Sequence, residues 1–211
     1  MIIIIGNQKG GAGKSTLAML LANYLTLVKK RKVIVIDMDY QQSISQKFEK
    51  AKVLENDEPY EVVAAALDDF PGMAEMLKAE KESLVLIDLP GKLDDDGLLP
   101  IFRSAGLVIC PFAYDEFSFE STVLFAVVLK KVNPDCSLLF VPNRVKANVR
   151  YETRADVDEQ LAKFGRVMEA IPDRIDFQRT NTFQTPLSVF PAIRPAFEVI
   201  YKQYLKLKPD E

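Results

Sequence analysis

The chain has 211 residues, 48% of them hydrophobic and 27% charged, with a formal net charge of −3. That length supports one sizeable core and a single domain over residues 1–211. Histidine is absent, which excludes Ser-His-Asp and Cys-His catalysis and the usual zinc sites, and the slight acidity excludes a polycation that coats nucleic acid with its whole surface.

Chemistry must then use carboxylates, lysines, hydroxyls, backbone amides and a borrowed metal, an inventory suited to phosphoryl transfer. Cys110 and Cys136 sit in apolar surroundings without C-x-x-C spacing and read as buried free thiols. Residues 1–5 form an apolar run that reads as the first strand. The run is too short, and too poor in preceding basic residues, for a signal peptide. No later run reaches membrane-spanning length, so a cytoplasmic protein is expected.

Residues 6–16 follow directly: Gly-Asn-Gln-Lys-Gly-Gly-Ala-Gly-Lys-Ser-Thr. They lead into a segment with Leu17, Leu20, Leu21, Tyr24 and Leu25 at helical spacing. Strand, glycine loop and helix in this order make a phosphate cradle. Gly10, Gly11 and Gly13 let the backbone turn its N–H groups inward, and the helix points its positive end at the same anion. Lys14 is placed to neutralise β- and γ-phosphate oxygens and Ser15 to ligate Mg²⁺. Gln8 stands where the strict G-x-x-x-x-G-K-[ST] pattern has its first glycine, and a second lysine, Lys9, precedes the glycines.

This Lys-Gly-Gly-x-Gly-Lys-Ser stretch resembles the deviant Walker A motif of the ParA/MinD/Soj family. Its members are P-loop ATPases that partition plasmids and chromosomes or place division machinery. The resemblance implies ATP and Mg²⁺ as cofactors, held by Lys9, Gly10, Gly11, Ala12, Gly13, Lys14, Ser15 and Thr16. It also makes Lys9 and Lys14 catalytic, with Lys9 reaching across a dimer interface to the partner's nucleotide.

Residues 33–36 read as a second, buried strand ending in Asp37-Met38-Asp39-Tyr40-Gln41. Carboxylates at the C-terminal end of a parallel strand lie where ligands of open α/β sheets bind. By resemblance to the family's Asp-x-Asp-Pro-Gln, Asp39 is the water-positioning carboxylate and Asp37 lies near Mg²⁺. Tyr40 replaces the proline and is expected to make the loop less rigid. Residues 43–51 read as a short helix capped by Ser43, 55–59 as a polar turn, 60–65 as an edge strand and 72–81 as a helix.

Residues 84–87 read as a third buried strand closed by Asp88, the Walker B pattern, with Asp88 holding Mg²⁺ through a water. Many P-loop ATPases place a glutamate next; here Leu89 follows, and Asp39 remains to orient the attacking water. Gly91 departs from the family's Asp-x-Pro-Pro and is expected to loosen the second switch loop. Asp94, Asp95 and Asp96 read as helix N-cap and first-turn charge, since three consecutive side chains do not converge on one ion.

Residues 107–111 form the fourth strand and 117–132 a helix with Phe119, Val123, Ala126 and Val127 on one face. The resemblance puts residues 114–120 at a nucleotide-dependent dimer interface; ordinary core packing is the other reading. Residues 138–141 form the fifth strand. At its end Asn143 matches the family asparagine that reads the adenine edge, an amide offering both a donor and an acceptor. Residues 151–164 read as an amphipathic helix and 167–171 as the last strand. Pro172 and Asp173, with Arg174, resemble the loop that closes over the base, and Pro195 reads as opening the final helix.

These elements make an α/β fold, a doubly wound, mostly parallel sheet of six strands flanked by helices, as in P-loop NTPases. The resemblance implies an ATPase that forms an ATP-dependent homodimer, binds DNA non-specifically and hydrolyses ATP slowly. A centromere-binding or cargo adaptor protein would stimulate it. A phosphate-binding face is assigned to Lys146, Arg150, Arg154, Arg174, Arg179, Lys202 and Lys206. Nucleoid association when ATP-bound follows. Because the chain starts at strand one without a helix-turn-helix, it resembles the short ParA proteins. A MinD-like membrane role is disfavoured, since the tail ends Pro-Asp-Glu and its aromatic stripe suits the core. Two other readings stay open: a kinase or transferase of a small metabolite with residues 52–82 as a lid, and a nucleotide-binding scaffold that does not hydrolyse.

Overall fold

Four consecutive isoleucines offer no polar face to water, and Ile2–Ile5 form β1, a central strand buried on both sides. The computed structural model describes residues 1–52, 57–92 and 94–206. Around β1 lie β2 (Lys32–Asp37), β3 (Glu61–Ala64), β4 (Ser83–Asp88), β5 (Leu107–Phe112), β6 (Ser137–Pro142) and β7 (Arg166–Val167). The seven strands run in the order β3-β2-β4-β1-β5-β6-β7, every pairing parallel.

Alternate residues of β1 serve opposite cores. Ile3 and Ile5 pack with α1 (Lys14–Asn23), Ile44 of α2 (Ser43–Lys52) and α7 (Phe190–Ile200). Ile2 and Ile4 pack with α3 (Phe70–Ala79), α4 (Leu98–Ser104), α5 (Glu116–Val132) and α6 (Arg154–Ala162). Fully buried Phe102, Phe125 and Phe197 anchor these layers, each worth roughly 1.5–3 kcal/mol of apolar burial. Because β4 and β5 flank β1 on opposite sides, the chain leaves β1 in one direction and later returns in the other. The crevice outside the carboxyl ends of β1, β2 and β4 is the ligand position of such sheets.

Among the described residues the sheet has seven strands, not six. The edge stretch is a strand, β3, and the last strand shrinks to two residues, after which a Val145–Pro172 bridge carries the chain onward. Helix α6 starts at Arg154 instead of residue 151, because residues 151–153 form a turn, with the Arg154 N–H on the Tyr151 carbonyl. Helix α4 begins at Leu98, so Asp94, Asp95 and Asp96 precede it and do not lie in its first turn. The Asp95 side chain accepts the Gly97 N–H at 2.9 Å just before the helix.

Pro195 does not open the final helix but sits inside α7. Pro191 takes the first-turn position, where no intrahelical N–H is required, and Pro195 follows one turn later on the exposed side. Nor is Ser43 the cap of α2: the Asp37 carboxylate accepts the Ile44 and Ser45 N–H groups at 3.0 and 2.8 Å. Cys110 and Cys136 are buried free thiols, and burial pushes the Cys136 thiol up to about 11. Residues 55–56 of the polar turn and the Pro209-Asp210-Glu211 ending lie outside the described residues. Among the described residues, no helix is long and apolar enough to cross a membrane.

Candidate functional site

The loop between β1 and α1 is held by Asn7. Its buried side chain donates to the Pro111 carbonyl (2.8 Å) and the Thr122 hydroxyl (2.9 Å), while its Oδ1 accepts the Lys9 N–H (3.0 Å). Two glycines then adopt left-handed backbone, Gly11 at φ 76° and Gly13 at φ 89°, which L side chains resist. A Cβ on Gly13 would lie 2.3 Å from Asn143 Nδ2. Helix α1 starts at once, the Leu17 N–H reaching the Gly13 carbonyl at 2.9 Å. Its first N–H groups therefore face the loop's concave side.

Lys14 is buried, with its Nζ 3.5 Å from the Lys9 carbonyl. A Cβ on Gly91 would stand 3.3 Å from that ammonium and 3.4 Å from Gly10 Cα. Gly91, read as a loosening departure, thus lets the loop after β4 lie against the glycine loop. Asp37 and Asp88 end neighbouring parallel strands in register. Both are fully buried. Among the described residues, neither Asp88 oxygen meets a hydrogen-bond donor, and neither does Asp37 Oδ1. Burial pushes the Asp88 carboxyl up to about 8, with the nearby Ser15 hydroxyl and Lys14 ammonium opposing and the charges of Asp37 and Asp39 adding. Burial likewise raises Asp37, against the Ser45 N–H.

Orphaned buried carboxylate oxygens beside a hydroxyl are what a hard divalent cation satisfies. Among the described residues no group of three or more carboxylates, cysteines or histidines forms a metal cage. Mg²⁺ needs none, since it binds through one or two protein oxygens plus substrate phosphates and water. The residues fit the cation, with Ser15 and Asp88 to hold it and Asp37 Oδ1 nearby.

Gly11, Gly13, Lys14, Ser15, Thr16, Asp39 and Lys47 help to line a cleft of about 310 Å³. A second, of about 420 Å³, is lined by Thr16, Lys47, Asn143, Arg144, Asp173, Arg174, Phe177 and Gln178. The fold thus brings Asn143 and Asp173 together with the glycine loop, although 131 residues separate Asn143 from Ala12. Asn143 Nδ2 donates to the Ala12 carbonyl at 2.9 Å. Pro172 supports this wall by its bridge to Val145, and the Asp173 N–H donates to the Val145 carbonyl at 3.0 Å. Lys9 points elsewhere, its Nζ over the exposed Phe117 ring at 5.3 Å from the centroid.

Asn7, Lys47 and Arg144 belong to the site but were not selected from the sequence. Asn7 was visible only as part of the glycine stretch. Arg144, in left-handed backbone at φ 57°, donates to the Gly11 carbonyl at 2.9 Å. Lys47 carries no local signal.

Residues 3–187 match the CobQ/CobB/MinD/ParA nucleotide binding domain. The chain belongs to this family. The MinD/ParA-type chain is 28% identical over 166 residues to the chromosome-partitioning ATPase Soj of Thermus thermophilus, covering 65% of this chain and 66% of that protein. It therefore spans just under two thirds of that relative's length. Its fold matches a plasmid partition protein of Borrelia burgdorferi bound to AMPPNP (TM-score 0.76, 24% identity, 96% and 98% of the two chains). It matches MinD in a MinC:MinD cell division complex of Aquifex aeolicus at TM-score 0.74 and 16% identity, over 100% and 98% of the two chains. At these identities the structural matches speak for the MinD/ParA fold, with its parallel sheet and covering helices.

Proposed function

We propose that this MinD/ParA-family chain is an ATPase of the partition type, working as an ATP-dependent dimer. The observation that carries this reading is the glycine loop, with Gly11 and Gly13 in left-handed backbone, set against Lys14, Ser15 and the unpartnered oxygens of Asp88. Backbone N–H groups of residues 10–16 and the Lys14 ammonium take the phosphates. Thr16 lies at the junction toward the second cleft, where Asn143 and Asp173, backed by Pro172, take the base. Asp39, free of ion pairs among the described residues and lining the phosphate cleft, orients the attacking water and accepts its proton. Bound Mg²⁺ supplies charge neutralisation at the phosphates, held by Ser15 and Asp88 with Asp37 close by.

Lys9, turned out of its own cleft, suits a contact with a partner protomer's nucleotide. For cargo, similarity to the chromosome-partitioning ATPase Soj supports a partition role that rides on DNA. The basic face is thinner than a residue count suggests: Arg154 pairs with Asp158 (3.7 Å), Arg174 with Asp176 (3.0 Å) and Lys202 with Glu198 (3.6 Å). Lys146 and Arg150 are exposed and lead the phosphate contacts. A stimulating adaptor protein and a nucleoid-bound ATP form complete the reading. The small-metabolite transferase loses support, because Glu61–Ala64 pair into the sheet as β3 and Phe70 and Leu77 of α3 are buried in the core.

The test is ADP release from ATP and Mg²⁺ with no small acceptor present, with and without DNA, alongside size-exclusion chromatography with ATP, ADP and neither. Slow, acceptor-independent ADP release and an ATP-only dimer support the reading. Turnover only with an added metabolite would overturn it.

A further inference from the structure

Helix α2 turns Ile44 and Phe48 to the interior, Phe48 stacking on Phe183 at 5.5 Å between centroids. The residue between these faces is Lys47, half-buried at the cleft wall. Its Nζ donates to a neutral acceptor, the Thr180 carbonyl, at 3.1 Å. Among the described residues no carboxylate pairs with it. Burial lowers its pKa, a sign that the cation lacks compensation. A half-buried ammonium without a counter-charge costs free energy that a docked anion returns.

Position names the anion. Among the described residues, Lys47, Thr16 and Arg144 alone line both the phosphate cleft and the cleft of Asn143 and Asp173. A nucleotide whose terminal phosphates lie in the first and whose base lies in the second must lay its α-phosphate and ribose along these residues. Each of the two cations donates to one carbonyl, but Arg144 is exposed to water whereas Lys47 is half-buried in the wall between the clefts. We infer that Lys47 is a nucleotide-binding residue that contacts the α-phosphate from helix α2, an assignment that rests on the nucleotide-site reading above.

An α-phosphate contact has a distinctive signature, because ATP and ADP both carry that group. Calorimetric titration of the full chain with ATP and with ADP, in the presence of Mg²⁺, reads it. Two variants separate charge from packing: Lys47→Met keeps the apolar stem, and Lys47→Gln keeps a donor for the Thr180 carbonyl without the charge. Both should bind ATP and ADP about 10-fold more weakly by nearly the same factor, as expected for one charge-assisted contact. Lys47→Arg should recover most of the affinity. Ligand-free melting of Lys47→Gln should match wild type. Variants within twofold of wild type for both nucleotides would overturn the assignment, as would a loss confined to ATP. Wild-type protein that binds neither nucleotide would instead overturn the site reading beneath it.

Discussion

Two glycines of the phosphate loop share a left-handed backbone but differ in what surrounds them. Among the described residues, a Cβ on Gly11 meets nothing within 4 Å, whereas one on Gly13 runs into the Asn143 amide. Gly11→Ala should therefore cost only the backbone strain, about 1–2 kcal/mol. Gly13→Ala adds a clash that drives Asn143 off the Ala12 carbonyl. Its loss of ATP affinity should exceed that of Gly11→Ala by at least ~10-fold, as one displaced contact of this size implies. Equal losses in a side-by-side titration would mean that the loop does not use Asn143 as a wall. Asn23 makes the same point in the core. It donates to the Asn181 carbonyl (2.8 Å) and the Thr185 hydroxyl (2.7 Å), and accepts from the Tyr60 hydroxyl (2.7 Å). Asn23→Ala strands these buried partners and should lower stability by about 2–4 kcal/mol, read from urea unfolding.

Helix α7 is tied to the end of α1 by charge as well as by packing. Glu198 accepts from Tyr24 at 2.6 Å and from Lys29 at 2.5 Å. The Lys29 hydrogen bond, then that of Tyr24, holds its carboxyl down at about 2. A carboxylate depressed in the folded chain adds stability above its unfolded value, near 4.5, and loses it as pH falls toward 2. At pH 6 Glu198→Gln should lower the urea midpoint by the equivalent of ~1 kcal/mol. The gap to wild type should close between pH 4.5 and pH 2. A gap that stays constant across that window would show that packing, not charge, links the two helices.

For the whole molecule, the outward position of Lys9 is the decisive feature. Lys9→Ala should retain most monomer ATP binding yet elute as a monomer with ATP, under conditions where the proposed function has wild type elute as a dimer. Asp39→Ala should do the reverse, accumulating an ATP-bound dimer with ADP release lowered at least ~100-fold, the scale of lost general-base assistance. If DNA rides on Lys146 and Arg150, ATP-dependent DNA binding should fall steeply between low and moderate salt. Salt-independent retention would locate the DNA contact elsewhere or remove it.

The glycine loop, the carboxylate-ended strands and the parallel sheet were legible in the sequence because each is written in a few adjacent residues. An apolar run, a glycine at a left-handed turn and an aspartate at a strand end are local statements. Their meaning survives without knowing the neighbours. What the chain order did not disclose is everything that depends on which strands lie side by side. Asn143 reaches Ala12, Lys47 reaches Thr180 and Asn7 reaches Thr122 only because the sheet order places distant strand ends at one rim. The same holds for Pro195, whose role turned on where the helix before it began, and for Asp37, which caps α2 across a turn. Side-chain contacts between residues far apart in sequence are set by tertiary packing, and no short window of sequence carries them.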